Sequence, residues 1–140
     1  MKNILRAEQA AMAVLGIYFL TIHNLHLSVW IWLLLFFSPD ISMLGYLVNA
    51  KVGAISYNIF HHKVIAIAVM GMEFFMKIEV VMVIGILLFA HSSFNRFMGY
   101  GLKYFSSFND THLGKLKKDK TIVGGNFRHS LILTMEKHEK

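Results

Sequence analysis

Long apolar runs broken by short polar stretches dominate the chain up to about residue 90. Four of them read as spans: about Gln9 to Ile22, closed by "HNLH"; about Leu27 to Phe37, "LSVWIWLLLFF"; about Val52 to Gly71; and about Phe74 to Ala90. A full membrane crossing takes roughly 20 apolar residues. The third and fourth runs come close to that, while the first two are short. "SPDISMLGYLV" extends the second run as a separate or kinked helical piece. In that piece Ser38 is the expected cap, Pro39 suits the first turn, and Asp40 suits the positive end of the helix dipole. The pattern predicts an all-α polytopic membrane protein, a four-helix transmembrane bundle with a re-entrant or kinked helix after span two. Residues 1–114 make the membrane domain and its loop, and 115–140 a basic cytosolic tail. A soluble helical bundle is the alternative for runs this short.

Composition argues against that alternative. Hydrophobic residues make up 56% of the chain and charged residues 16%, whereas a soluble domain carries roughly 25% charged residues. The formal charge is +6, and its placement matters more than its size. Arg96, Lys103, Lys115, Lys117, Lys118, Lys120, Arg128, Lys137 and Lys140 all follow the last apolar run. Beside a membrane core such a tail points to the lipid bilayer and anionic lipid headgroups rather than to nucleic acid. Lys2 and Arg6 precede span one, and Lys51 lies between spans two and three. Basic residues favour the cytosolic side, so both termini are expected in the cytosol. The opening "MKNILRAEQAAMAVLGIYFLTIH" has the look of a signal peptide, but Glu8 and Gln9 interrupt it and more apolar runs follow. It reads as an uncleaved first span. The chain has no cysteine. Any metal must therefore be held by histidine and carboxylate.

The ionisable groups gather toward the cytosolic side. Glu8 and Asp40 mark the inner ends of spans one and two, His61 lies in span three, and His91 ends span four, with Asp110 and His112 just beyond. At about 1.5 Å of rise per residue, His61 lies roughly 14 Å below the start of its span. Titratable groups at such depth normally face the bundle interior. Tyr57, Asn58 and His61 share one helical face, and His62 and Lys63 point elsewhere. Each residue also has a plainer reading. Tyr57 and Asn58 can hold helices together, Asp40 can answer the dipole, and Glu8 can pair with Arg6. His91 can sit at the interface, and Asp110 can cap a helix. The segment "GYGLKYFSSFNDTHLG" is expected to turn out of span four at Gly99 and Gly101 and to lie across the inner mouth as a lid or ligand-bearing loop. A headgroup-level anchor is its plainer alternative.

"PDISMLGY" (39–46), "YNIFH" (57–61), "HSSFNRFMGYGLKY" (91–104) and "FNDTHLG" (108–114), with "ILRAEQAAMAVLG" near the start, resemble the signatures of an uncharacterised bacterial membrane family, domain of unknown function 4260. The likeness covers roughly residues 4 to 114. It implies a small polytopic protein of the bacterial inner membrane and supplies no mechanism. Carried onto this chain it picks out Arg6, Glu8, Asp40, Tyr57, His61, His91, Arg96, Lys103, Asp110 and His112. The chain departs from the family pattern at Asn95, where an acid is expected before the arginine.

Three functions follow as expectations. The sharpest is a metal-dependent membrane enzyme acting on a lipid or other amphiphile. His61, His91, Asp110 and His112 would hold zinc, iron or manganese, and Asp40 would add a carboxylate to the metal or to catalysis. Glu8 would be the general base. Arg96, Lys103, Tyr57 and Asn58 would bind substrate, the two cations taking an anionic headgroup. The second is a proton- or ion-coupled binding or transport protein, which would need a homo-oligomer to form a pore. The third is a structural accessory subunit.

Overall fold

A computed structural model describes residues 1–23, 25–106 and 108–115. The basic tail beyond them lies outside the described residues. Five α-helices make up most of the described residues. Helix α1 runs Lys2–Ile22. It starts earlier than its apolar run because "KNILRAEQAA" holds no glycine or proline to delay it. Helix α2, Val29–Phe37, is capped by Ser28, whose hydroxyl accepts from the Ile31 amide at 3.5 Å. A 3-10 helix, Ser38–Leu47, continues it, with Pro39 and Asp40 in its first turn. The extension is therefore helical, but it is continuous with α2 rather than a separate or kinked piece, and Ser38 does not cap it: its hydroxyl donates back to the Leu35 carbonyl at 2.7 Å. The backbone passes from α to 3-10 winding without a break.

The third apolar run is divided. Helix α3, Ala50–His61, is capped by Asn49, which accepts from the Val52 amide at 2.8 Å. His62 is extended, and α4, Lys63–Met76, leaves at a bend of 49°. The hydrogen-bond ladder shows how the break is held. The His61 carbonyl is taken by the Ser92 hydroxyl at 2.6 Å, and the ladder restarts from the His62 carbonyl, which accepts from the Ile65 and Ala66 amides. The fourth run is displaced from the expected Phe74–Ala90. Residues 74–76 finish α4, Lys77 turns the chain in the left-handed region, and α5 runs Glu79–Met98 to Gly99 at φ 97°. Nothing in "FFMKIE" is a strong helix breaker, so the turn at Lys77 leaves no mark in the sequence.

Helix α5 is the central element, packed along both α1 and α4. Small residues allow it: a Cβ on Gly16 would lie 2.7 Å from the Ala90 side chain, and one on Gly85 2.7 Å from the Met70 amide nitrogen. Leu20, Val83, Ile86 and Leu87 form the apolar core beside them. Helix α3 packs instead on the 3-10 segment. Among the described residues, three helices are long and apolar enough to cross a membrane: Asn3–Ile22, Val29–Leu47 and Glu79–Met98. The bent pair Ala50–His61 and Lys63–Met76 passes only when taken as one span. Trp30, Leu34, Leu47 and Phe75 are among many large apolar side chains left exposed, which is the surface a bilayer covers and water does not.

Candidate metal centre

The polar side chains meet where the two halves of the packing join. Along the 3-10 segment each residue rises about 2.0 Å, and along α3 about 1.5 Å. Six residues of the first therefore match eight of the second, about 12 Å in each case. That coincidence sets two contacts at once: the Tyr46 ring covers Gly53, and the Asp40 carboxylate reaches His61. The Ser56 hydroxyl fixes the register by donating to the Ser42 carbonyl at 2.6 Å. Helix α5 brings His91 to the same point from the other side.

Three atoms converge there. Asp40 Oδ1 lies 3.3 Å from His61 Nε2 and 3.2 Å from His91 Nε2, and the two Nε2 atoms are 3.1 Å apart. His91 is fully buried and His61 is 2% exposed, while the Asp40 side chain keeps partial access. His61 Nδ1 lies 2.9 Å from the Tyr57 carbonyl, so that nitrogen carries the proton and Nε2 is left with its lone pair toward Asp40 and His91. His91 Nδ1 makes no well-formed hydrogen bond, and the Phe36 carbonyl is the backbone group that bears on its ring. Asp40 Oδ1 and the His61 lone pair thus crowd a common point with His91 Nε2, which carries a proton or a lone pair according to the tautomer, since no partner holds the proton on Nδ1. A proton shared among them or a bound cation relieves that crowding. Donors on a tetrahedral ion at about 2.0–2.1 Å stand about 3.3 Å from one another. The spacing of this triangle fits such a set.

The surroundings hold the rings in place. Tyr57 is buried and stacks on His61 at 3.8 Å between centroids and 9° between planes. Phe36 and Phe37 press edge-on against His91. Asn95 Nδ2 lies 3.3 Å from Asp40 Oδ1 and 3.1 Å from His91 Nε2. Asn95, Ser92 and Phe36 did not stand out as site residues in the sequence, although Asn95 follows His91 by one helical turn and so had to share its face.

The other expected site residues lie elsewhere. Glu8 is exposed on α1 and outside the converging set. Asp110 and His112 belong to a small antiparallel hairpin, Asp110–Thr111 with Gly114–Lys115. Asp110 Oδ2 accepts from Ser106 at 2.8 Å, and His112 Nδ1 accepts from the Leu102 amide at 2.8 Å. Neither is part of the triangle formed by Asp40, His61 and His91. Asn58 is occupied by the backbone of Lys103, accepting from its amide at 2.7 Å and donating to its carbonyl at 2.8 Å. This reciprocal pair docks the segment after α5 onto α3, so the segment lies packed on the bundle. Lys103 is 3% exposed. Its ammonium donates to the Phe108 carbonyl at 2.9 Å and sits among the Phe108, Tyr57 and Tyr100 rings at 4.0, 5.3 and 5.9 Å. Burial pushes the amine down to about 8. Arg96, half-buried one turn beyond Ser92, lines a narrow crevice together with Tyr57, His61 and Asn95, roofed by Tyr100, Gly101 and Leu102.

With this arrangement in view, residues 2–116 match the family described as a domain of unknown function (DUF4260). The chain belongs to that family. The match takes in every element that builds the triangle and the docked segment over it. No curated protein and no solved structure matches the chain.

Proposed function

We propose that this chain is a small integral membrane protein whose Asp40, His61 and His91 hold a divalent transition metal, and that it acts as a metal-dependent enzyme on a lipid or amphiphilic substrate at the cytosolic face. The observation that carries the reading is the convergence of the three donor atoms from three separate elements, within 3.3 Å of one another, beneath an exposed apolar surface. The donor set of two imidazoles and one carboxylate suits zinc, iron or manganese. Protonation of His61 on Nδ1, toward the Tyr57 carbonyl, is the support a metal-binding imidazole normally has. A metal held there supplies a Lewis acid and lowers the pKa of water toward neutrality. The chain's own residues orient it: Asn95 steers the Asp40 carboxylate, and Tyr57 fixes the plane of His61. Asp40, partly accessible, is the donor facing an incoming substrate.

In this reading the bent pair α3–α4 counts as one crossing, giving four spans. Lys2, Arg6, Lys51 and the basic tail then place both termini in the cytosol of a bacterial inner membrane, against anionic headgroups. Metal analysis of detergent-purified protein tests the centre. One zinc, iron or manganese per chain is expected, and it should be lost in His61→Ala or His91→Ala. A metal-free wild type, with both variants folded, removes the proposal.

The break at His62 favours a second reading. Interrupted spans are a common device of ion-coupled transporters, and the same triangle can share a proton. Transport predicts pH-dependent flux in proteoliposomes that Asp40→Asn abolishes; flux unchanged by that substitution excludes it.

A further inference from the structure

The cations at the inner end of α5 are treated in opposite ways. The Lys103 ammonium donates to one carbonyl and lies among three aromatic rings. At 3% exposure, this expected headgroup partner meets a ligand only if its segment undocks. Arg96 has the reverse situation. Among the described residues its guanidinium makes no hydrogen bond and no ion pair, and the ion pairs that do form all use histidine. The carboxylate of Glu8 acts on Lys63 rather than on Arg96. Lys63 and His112 are both within electrostatic range of Arg96, so its surroundings add positive potential and do not cancel it. A half-buried guanidinium without a counter-charge is costly. It sits in the wall of the crevice whose floor is His61 and Tyr57. The neighbouring polar side chains are already committed, Ser92 to the His61 carbonyl and Asn95 to Asp40 and His91. Arg96 is left as the group that can receive something new.

We propose that this crevice is an oxyanion site, and that Arg96 binds a phosphate group there beside the Asp40–His61–His91 centre. The proposal deepens the metal-enzyme reading by naming the substrate class, and it rests on that reading for the metal alone. A planar guanidinium offers two parallel N–H groups to two phosphate oxygens, which a lysine cannot copy. The crevice leaves no room for a water-sized sphere, so phosphate enters by moving the Tyr100–Leu102 roof. Gly99, at φ 97°, ends α5 in the left-handed region immediately before that roof. The phosphate can arrive as the headgroup of a phosphate-monoester lipid or as free phosphate, and both present the same oxygens.

The test uses the full chain, loaded with one equivalent of zinc or stripped with EDTA. Inorganic phosphate is titrated calorimetrically into the protein in micelles. The thermal midpoint is measured in nanodiscs of phosphatidylcholine with and without phosphatidic acid. Wild type should bind phosphate, or be stabilised selectively by phosphatidic acid. The first result assigns free phosphate and the second a headgroup. Arg96→Gln should weaken whichever effect is seen by about tenfold or more, as expected for one lost charge-assisted contact, with zinc content unchanged. Arg96→Lys, which keeps the charge and loses the fork, should weaken it several-fold and serves if the glutamine variant does not fold. No response to either probe overturns the proposal, as does a variant that responds like wild type. Arg96-dependent binding in a protein that takes up no zinc would end the metal reading and leave the phosphate site standing. Zinc uptake with indifference to both probes would do the reverse.

Discussion

Helix α5 and the span Val29–Leu47 are nearly equal in length and in apolar character, yet their surroundings are opposite. The α5 window is 56% buried within the chain and that of Val29–Leu47 only 6%. The difference lies in small residues. Gly85, Ala90, Ser92 and Ser93 make α5 narrow enough for α1 and α4 to close on it, whereas "VWIWLLLFF" presents bulk on every side. Hydrophobicity thus says that both belong in a membrane, and side-chain size says which one is the axis. Asp40 links the two: it is the polar contact by which the loosely held span reaches His61 and the central helix at His91.

The sharpest way to break this comparison is to remove a donor. His61→Ala should take bound metal from one per chain to near none, read by elemental analysis with the thermal midpoint as a folding check. Next comes packing. Gly85→Val drives a side chain into α4 and should cost about 1–3 kcal/mol, while Trp30→Ala on the exposed span should stay within about 0.5 kcal/mol; paired thermal melts compare them. Asn95→Asp places a fourth donor, the second carboxylate, beside the three and should tighten zinc binding by about tenfold in competition titrations. Zinc itself should slow amide exchange a few-fold across residues 38–47 and leave residues 83–91 unchanged, because the first region is held mainly by α3 while the second is already closed in by α1 and α4. The smallest effect concerns Lys103. Its amine falls from 10.5 to about 8 on docking. Between those values the undocked segment holds a proton that the docked one has released, so docking strengthens as pH rises through that window and loses this contribution below pH 8. Exchange protection of 99–115, corrected for intrinsic rates, should rise from pH 7 to pH 9.5 in wild type and stay flat in Lys103→Met.

Much of the fold was legible in the apolar runs, and so were the three residues of the triangle, because intramembrane histidines and a Pro-Asp helix start are conspicuous in a chain so poor in charge. The breaks were not. Lys77 adopts a left-handed turn without the glycine or asparagine that usually marks one, and the interruption at His62 is held by Ser92, thirty positions away in the chain. Neither has a local signature. The same limit applies to Asn58 and Lys103. As residue types they suggest ligand contacts, and only the docked hairpin shows that each is occupied by the chain itself. Arg96 looked equivalent to Lys103 in sequence, and what separates them is which one found aromatic rings and a carbonyl within reach.

The tighter winding after Phe37 also changes how far the chain can reach. Nine α-helical residues at about 1.5 Å and ten 3-10 residues at about 2.0 Å add up to roughly 33 Å, against about 28 Å for nineteen residues wound as α-helix throughout. A hydrocarbon layer is about 30 Å thick. Stretching the helix thus gives a segment that is short as an α-helix the length of such a layer, and delivers the aspartate to its partners on the way.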